Sequence, residues 1–330
     1  MLGVIEGFTL VLIIAAVGYA FAVLRRGRGA DPKAALTSVI YYVTNPALMF
    51  ILLAEAPVDE VLRTFAPAAL LIAVAGGALY AAGSFLFFRR SAADTAVGAM
   101  SASYANAGNI GLPIALYAVG SSTPVVSVLL AQLLIVAPAY LAVFSFTQRR
   151  RSGSGRFTSG PGALAAAPRN RARPLGVLAA VVRPFANPVT LATLAGLAAA
   201  LTGFRPPGVL WEPVSLLGHA SVPLLLLTFG MSLHGERPLG TAAVRTEVLA
   251  ATAVKLFAAP LLGWAVGRWI FGLDGQDLFG VVVMSALPTA QNVYLFSHQF
   301  GMKSVIARDV IFLTSFLSFP VILLAALLLA

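Results

Sequence analysis

The sequence predicts an all-α polytopic membrane protein with ten transmembrane helices arranged as two inverted five-helix repeats, and three observations carry that prediction. The chain of 330 residues is 59% hydrophobic and 10% charged. Its mean hydropathy is +0.91, more apolar surface than one soluble core of this size hides. The basic residues fall on alternate connecting loops, and prolines recur at matching places in the two halves. A soluble enzyme is excluded. The chain has no Cys and only three His (His219, His234, His298), so disulfides, thiolate chemistry and Cys/His zinc sites are excluded or short of ligands.

A hydrocarbon core of about 30 Å needs roughly 20 mainly apolar residues per helix, because a helix satisfies its own backbone groups in lipid. In the first half, Val4–Leu24, Leu36–Leu53, Ala66–Phe88, Ala96–Val119 and Val125–Phe146 qualify. In the second half, Pro188–Phe204, Val214–Leu233, Val244–Phe271, Leu278–Phe300 and Val305–Leu329 qualify. The first stretch has Glu6 before its core and Arg25, Arg26 and Arg28 after it. That is the charge order of a retained helix with its N-terminus outside, not of a cleaved signal peptide.

With that start, one face of the membrane receives Arg25, Arg26, Arg28, Lys33, Arg89, Arg90, the eight arginines from Arg149 to Arg183, Arg237, Arg245, Lys303 and Arg308. The other face receives Arg63, Arg205 and Arg268, with most of the acidic loop residues, and Lys255 lies inside a span. The basic face is expected to be cytoplasmic. This implies a multi-pass protein of the inner (cytoplasmic) membrane with both termini outside. The chain divides into a first repeat (1–147), a basic cytoplasmic linker (148–186) and a second repeat (187–330). The linker arginines sit among Gly, Ser and Pro with no aromatic interleaving, so they read as an orientation signal and a lipid contact rather than a nucleic-acid surface.

An odd number of helices per half makes the second half enter from the opposite side, which is the topology of an inverted repeat. Pro46 and Pro223 lie 177 residues apart, and Pro113 and Pro288 lie 175 apart, in corresponding helices. Two segments are expected to break at mid-membrane. The first, Ser101 to Pro113, holds Asn106, Asn109, Gly108 and Gly111; the second, Ala286 to His298, holds Pro288, Thr289, Gln291 and Asn292. Proline removes an N–H and glycine loosens the backbone, and such breaks are tolerated in lipid only when buried or lining a cavity. Opposed broken helices offer N–H groups and positive dipole ends to an anion.

On Asn45-Pro-Ala-Leu-Met-Phe50, Asn106 to Pro113, Asn187 to Gly196, Val222 to Gly230 and Ala286 to Asn292, the chain resembles a prokaryotic member of the auxin efflux carrier family, related by fold to bile-acid/sodium symporters. The resemblance implies ten helices in two inverted bundles, broken crossover helices 4 and 9 meeting at the substrate site, and elevator-like alternating access. Asn106 falls on the family's substrate-binding asparagine, and Pro113 and Pro288 fall on its crossover prolines. The chain departs from the plant carriers in its short linker and at Val293, where they place a second proline. Gln291 and Asn292 fill that break instead.

The expected function is secondary active transport of small organic anions, carboxylates including auxin-like weak acids. A channel or a non-transporting membrane receptor is the alternative, and no enzymatic motif is present. The expected substrate-binding set is Asn106, Asn109, Gly111, Pro113, Pro288, Thr289, Gln291 and Asn292. Lys255, Asn45 and His298 are candidates for coupling or counter-charge. For Lys255 the choice lies between a counter-charge to the carboxylate, a fixed cation in place of Na⁺ or H⁺, and snorkelling to the interface. Gln132 reads as an interhelical hydrogen bond before it reads as a ligand. No cofactor or metal is expected beyond Na⁺ or H⁺ as coupling ion. The expected partners are the organic anion, membrane lipid and a second copy in a homodimer.

Overall fold

The computed structural model describes residues 2–25, 32–153, 188–232, 239 and 241–329. The helical segments in chain order are α1 Leu2–Leu24, α2 Pro32–Ala54, α3 Val58–Phe88, α4 Ala92–Ser103, α5 Ala107–Val119 and α6 Thr123–Gln148. After the linker come α7 Pro188–Thr202, α8 Gly208–Ser232, α9 Ala242–Ile270, α10 Gly275–Ala286, α11 Asn292–Gln299 and α12 Ser304–Leu329. Among the described residues no strand forms, and six helices (α2, α3, α6, α8, α9 and α12) are long and apolar enough to cross a membrane. Helix runs on past α6 to Gly153, into the stretch read from sequence as linker. Most of that linker, with His234 and Arg237, lies outside the described residues.

Four prolines shape four of the long helices in the same way. Ahead of Pro46, Pro67, Pro138 and Pro260, the turns Ile40–Thr44, Val61–Phe65, Gln132–Val136 and Val254–Ala258 widen by one residue. The N–H groups of Asn45, Ala66, Ala137 and Ala259 reach carbonyls five residues back. The proline ring collides with the carbonyl four residues before it and supplies no N–H, so one wide turn relieves the clash without ending the helix. Gln132 and Lys255 both sit in such turns.

Large apolar side chains such as Leu12, Ile13, Phe87, Leu216, Phe257, Leu261 and Leu328 are exposed on the outside of the bundle. That surface is what a lipid-facing protein presents, and helix association then rests on close packing. Glycines provide it. Gly18 of α1 abuts the backbone of Leu227, and Gly230 of α8 abuts the backbone of Ala15. Gly196 of α7 lies against Phe50 and Leu53 of α2, and Gly218 of α8 lies against Leu48 and Ile51. A second core gathers Tyr80, Val97, Met100, Phe144, Val248, Ile306 and Val310 from α3, α4, α6, α9 and α12. A third set, including Leu48, Ile110, Leu112, Leu226, Phe279, Leu287 and Ile322, binds α5 and α10 to the α2–α8 side.

A Cβ at Gly230 meets backbone, which cannot swing away. Gly230→Leu is therefore expected to lower stability in detergent by about 2 kcal/mol or more. Gly83→Ala has open space around the new methyl and is expected to leave stability unchanged or raise it by up to about 1 kcal/mol. Thermal unfolding of the two variants checks both.

Candidate functional site

The site is built from two places where helix stops. After α4, Tyr104 turns extended (φ −96°, ψ 106°), and Asn106 (φ −78°, ψ 58°) starts α5. After α10, Leu287 is extended (φ −55°, ψ 149°), the conformation that a following proline favours. The two extended pieces pair antiparallel at Ala105 and Thr289. Asn106 N–H donates to the Pro288 carbonyl at 2.7 Å, and Ala290 N–H donates to the Tyr104 carbonyl at 3.0 Å. Each break thus satisfies backbone groups freed by the other, which an apolar interior requires.

Thr289, fully buried, locks this pairing. Its hydroxyl donates to the Ser101 carbonyl at 2.6 Å, and its N–H donates to Thr314 Oγ1 of α12 at 3.0 Å. Asn106 caps α5: its carbonyl accepts from Ile110 and Gly111 N–H, and its Oδ1 accepts from Asn109 N–H at 3.4 Å. Its Nδ2 is buried and has no hydrogen-bond partner among the described residues. Such a donor is costly to leave unused.

Beside the paired breaks lies a cavity of about 410 Å³. Its polar lining comes from Tyr41, Asn45, Tyr104, Asn106, Asn109, Gln132, Gln291, Asn292 and Gln299, and its apolar lining from Met49, Leu129, Leu133, Val189, Leu295 and Phe296. Among the described residues, no charged side chain lines it. The N-terminal ends of α5 and α11 both contribute, so backbone N–H groups and the positive ends of two helix dipoles adjoin the space.

Of the residues expected from sequence, Asn45, Asn106, Asn109, Gln291 and Asn292 come together on this wall. Gly111, Pro113, Pro288 and Thr289 are not among the lining residues. Gly111 packs against Leu287 and Val125, Pro113 is buried, and Pro288 and Thr289 hold the crossing together. His298 is exposed at the far end of α11, its ring 6.0 Å from Tyr294, and does not line the cavity. Lys255 also lies off the cavity, 2% exposed, with Nζ donating to the Ser285 carbonyl at 3.0 Å. It therefore packs inside the protein and does not snorkel to an interface.

Sequence reasoning passed over three lining residues, Tyr41, Tyr104 and Gln299, and read a fourth, Gln132, first as an interhelical hydrogen bond. Gln132 carried a usable signal, an amide in the wide turn ahead of an intramembrane proline. The buried carboxylates were also passed over. Asp94 pairs with Lys303 at 2.7 Å, Glu247 with Arg90 at 2.6 Å, and Asp309 with Arg308 at 2.7 Å. The first two pairs link the starts of α4, α9 and α12, while Arg308 and Asp309 are neighbours within α12 and Asp309 Oδ2 accepts from Leu239 N–H.

An all-helical bundle with paired helix breaks beside an amide-lined cavity suits a membrane transport protein. Residues 4–326 match the family model described as "Membrane transport protein", and the chain belongs to that family, which takes in the auxin efflux carriers. It is 29% identical over 295 residues to the "Putative malonate transporter" of Rhizobium meliloti (strain 1021), covering 86% of this chain and 82% of that one. It is 26% identical over 147 residues to "Auxin efflux carrier component 7" of Arabidopsis thaliana, covering 43% of this chain and 23% of that protein.

Thr289→Val keeps the shape but leaves the Ser101 carbonyl without its donor, at an expected cost of about 1–3 kcal/mol. Thr289→Ser restores the hydroxyl and is expected to recover most of it. Thermal unfolding in detergent compares the two.

Proposed function

We propose that the chain is a secondary active transporter of small organic anions, with dicarboxylates of malonate size the first class to test, and that the anion binds in the 410 Å³ cavity. The observation that carries this reading is the combination of an uncharged, amide-rich wall with two helix N-termini and the unpartnered Asn106 Nδ2. A carboxylate needs several donors and no acidic neighbour, and that wall supplies them. Asn106, Asn109, Gln291 and Asn292 are the proposed ligands. The similarity to a protein named a malonate transporter supports the substrate class.

The same reading takes the chain as ten membrane spans in two inverted repeats. In it, α4 with α5 and α10 with α11 act as the broken crossover helices, and α1, α2, α7 and α8 are a scaffold against which the rest moves in an elevator-type step. The glycine contacts within that group of four suit a static unit. The basic loops support a cytoplasmic linker and an inner-membrane location. The lining residues Val189 and Gln299 lie toward that basic end, and the reading takes the cavity as opening inward.

Purified full-length protein in proteoliposomes is expected to take up labelled malonate saturably and to show counterflow. Asn106→Ala is expected to cut uptake about tenfold or more, as loss of a buried ligand donor does. Conductance linear in concentration, or no protein-dependent flux across a panel of mono- and dicarboxylates, overturns the reading.

A further inference from the structure

Lys255 presents a problem that the anion cavity does not solve. It stands ten residues beyond Arg245, about 15 Å along the helix, inside the membrane part of α9. The buried carboxylates Asp94, Glu247 and Asp309 are paired with Lys303, Arg90 and Arg308. Among the described residues no carboxylate lies within ion-pair distance of Lys255. A charge in such a place is costly unless something there demands it.

The demand comes from the C-terminal end of α10. The N–H that would continue the helix onto the Ser285 carbonyl belongs to Thr289, and it is committed to Thr314. The Met284 carbonyl has no donor four residues on, because residue 288 is proline. The last turn of α10 therefore carries carbonyls without helical donors at the negative end of a helix dipole. Gly263 lets α9 approach Ser285 closely, and the wide turn Val254–Ala258 carries Lys255 to that spot. The equivalent end of α4 is finished by neutral groups, Thr289 hydroxyl on the Ser101 carbonyl and Tyr104 N–H on the Met100 carbonyl. The end of α10 is finished by an ammonium.

Next to that ammonium lies a chamber of about 40 Å³, whose polar lining is Ser103, Gln132, Ser285 and Lys255 itself. Gln132 and Ala105 line this chamber and the anion cavity alike. The crossing thus has an anion side at helix N-termini and a cation side at a helix C-terminus, with one shared wall.

The geometry points to Lys255 as a built-in cation. Its ammonium occupies the carbonyl-lined end of α10 in the place of a free monovalent cation, and the carrier therefore binds and moves its anion without Na⁺. This rests on the transport reading above, so the decisive measurement is made without any carboxylate.

Thermal unfolding of full-length wild type in detergent is expected to be the same in sodium, potassium and choline chloride. Lys255→Ala removes the amine and enlarges the chamber. Its unfolding temperature is expected to fall and to recover in methylammonium or sodium chloride but not in choline chloride, since choline is too large to enter. Lys255→Met, which fills the same space with an apolar chain, is expected to show no recovery in any salt. If Lys255→Ala cannot be purified folded, Lys255→Gln keeps a donor for Ser285 without the charge. It is expected to stay folded while malonate uptake in proteoliposomes falls about tenfold, the scale of losing one favourable charge interaction. Sodium-dependent stability of the wild type, an unchanged Lys255→Ala, a folded Lys255→Ala rescued by no small cation, or full uptake by Lys255→Gln overturns the proposal. If wild type moves no carboxylate but Lys255→Ala is rescued by methylammonium, the transport reading fails and the built-in cation stands.

Discussion

Everything at the centre of this bundle follows from one constraint: a backbone group that leaves a helix inside an apolar medium must find another partner. Two helices stop inside the bundle, and the short extended pieces they leave satisfy each other through Asn106 N–H on the Pro288 carbonyl and Ala290 N–H on the Tyr104 carbonyl. That exchange sets the distance and angle between α4, α5, α10 and α11. It also leaves the surplus groups sorted by sign, donors at the starts of α5 and α11 and acceptors at the ends of α4 and α10.

The surplus donors account for the chemistry of the cavity. In the proposed reading, amides line it because they complement both the freed backbone and a carboxylate, which a fixed carboxylate on the wall would repel. The surplus acceptors account for Thr289 and Lys255, one neutral and one charged solution to the same shortage. The charged solution brings a long side chain from α9 across to α10, which is feasible only because Gly263 lets the two helices touch near Ser285.

Much of the candidate site was legible in the sequence. Asn106, Asn109, Gln291 and Asn292 are polar side chains next to Gly and Pro in apolar stretches, and that local conflict is visible without a structure. Gly111, Pro113, Pro288 and Thr289 were legible as parts of the same breaks. Their division of labour was not, because whether a residue near a break faces the cavity or clamps the crossing depends on the partner segment 175 or so residues away. Gln132 and Gln299 come from other helices and join the wall through packing alone. The pairing of Asp94 with Lys303 and of Glu247 with Arg90 exists only once distant helix ends are brought together.

The sequence by itself determined that this is a helical membrane protein, where its apolar segments run, which loops are basic, and where two of its helices must break. Those properties are written in local composition, since hydropathy, proline and charge act on their own stretch of chain. Only the tertiary structure decided that the two breaks pair with each other, that Thr289 is a clasp, and that Lys255 faces the end of α10 and not the cavity. Those outcomes depend on which distant backbone groups share one buried space, and no property of either segment alone contains that information.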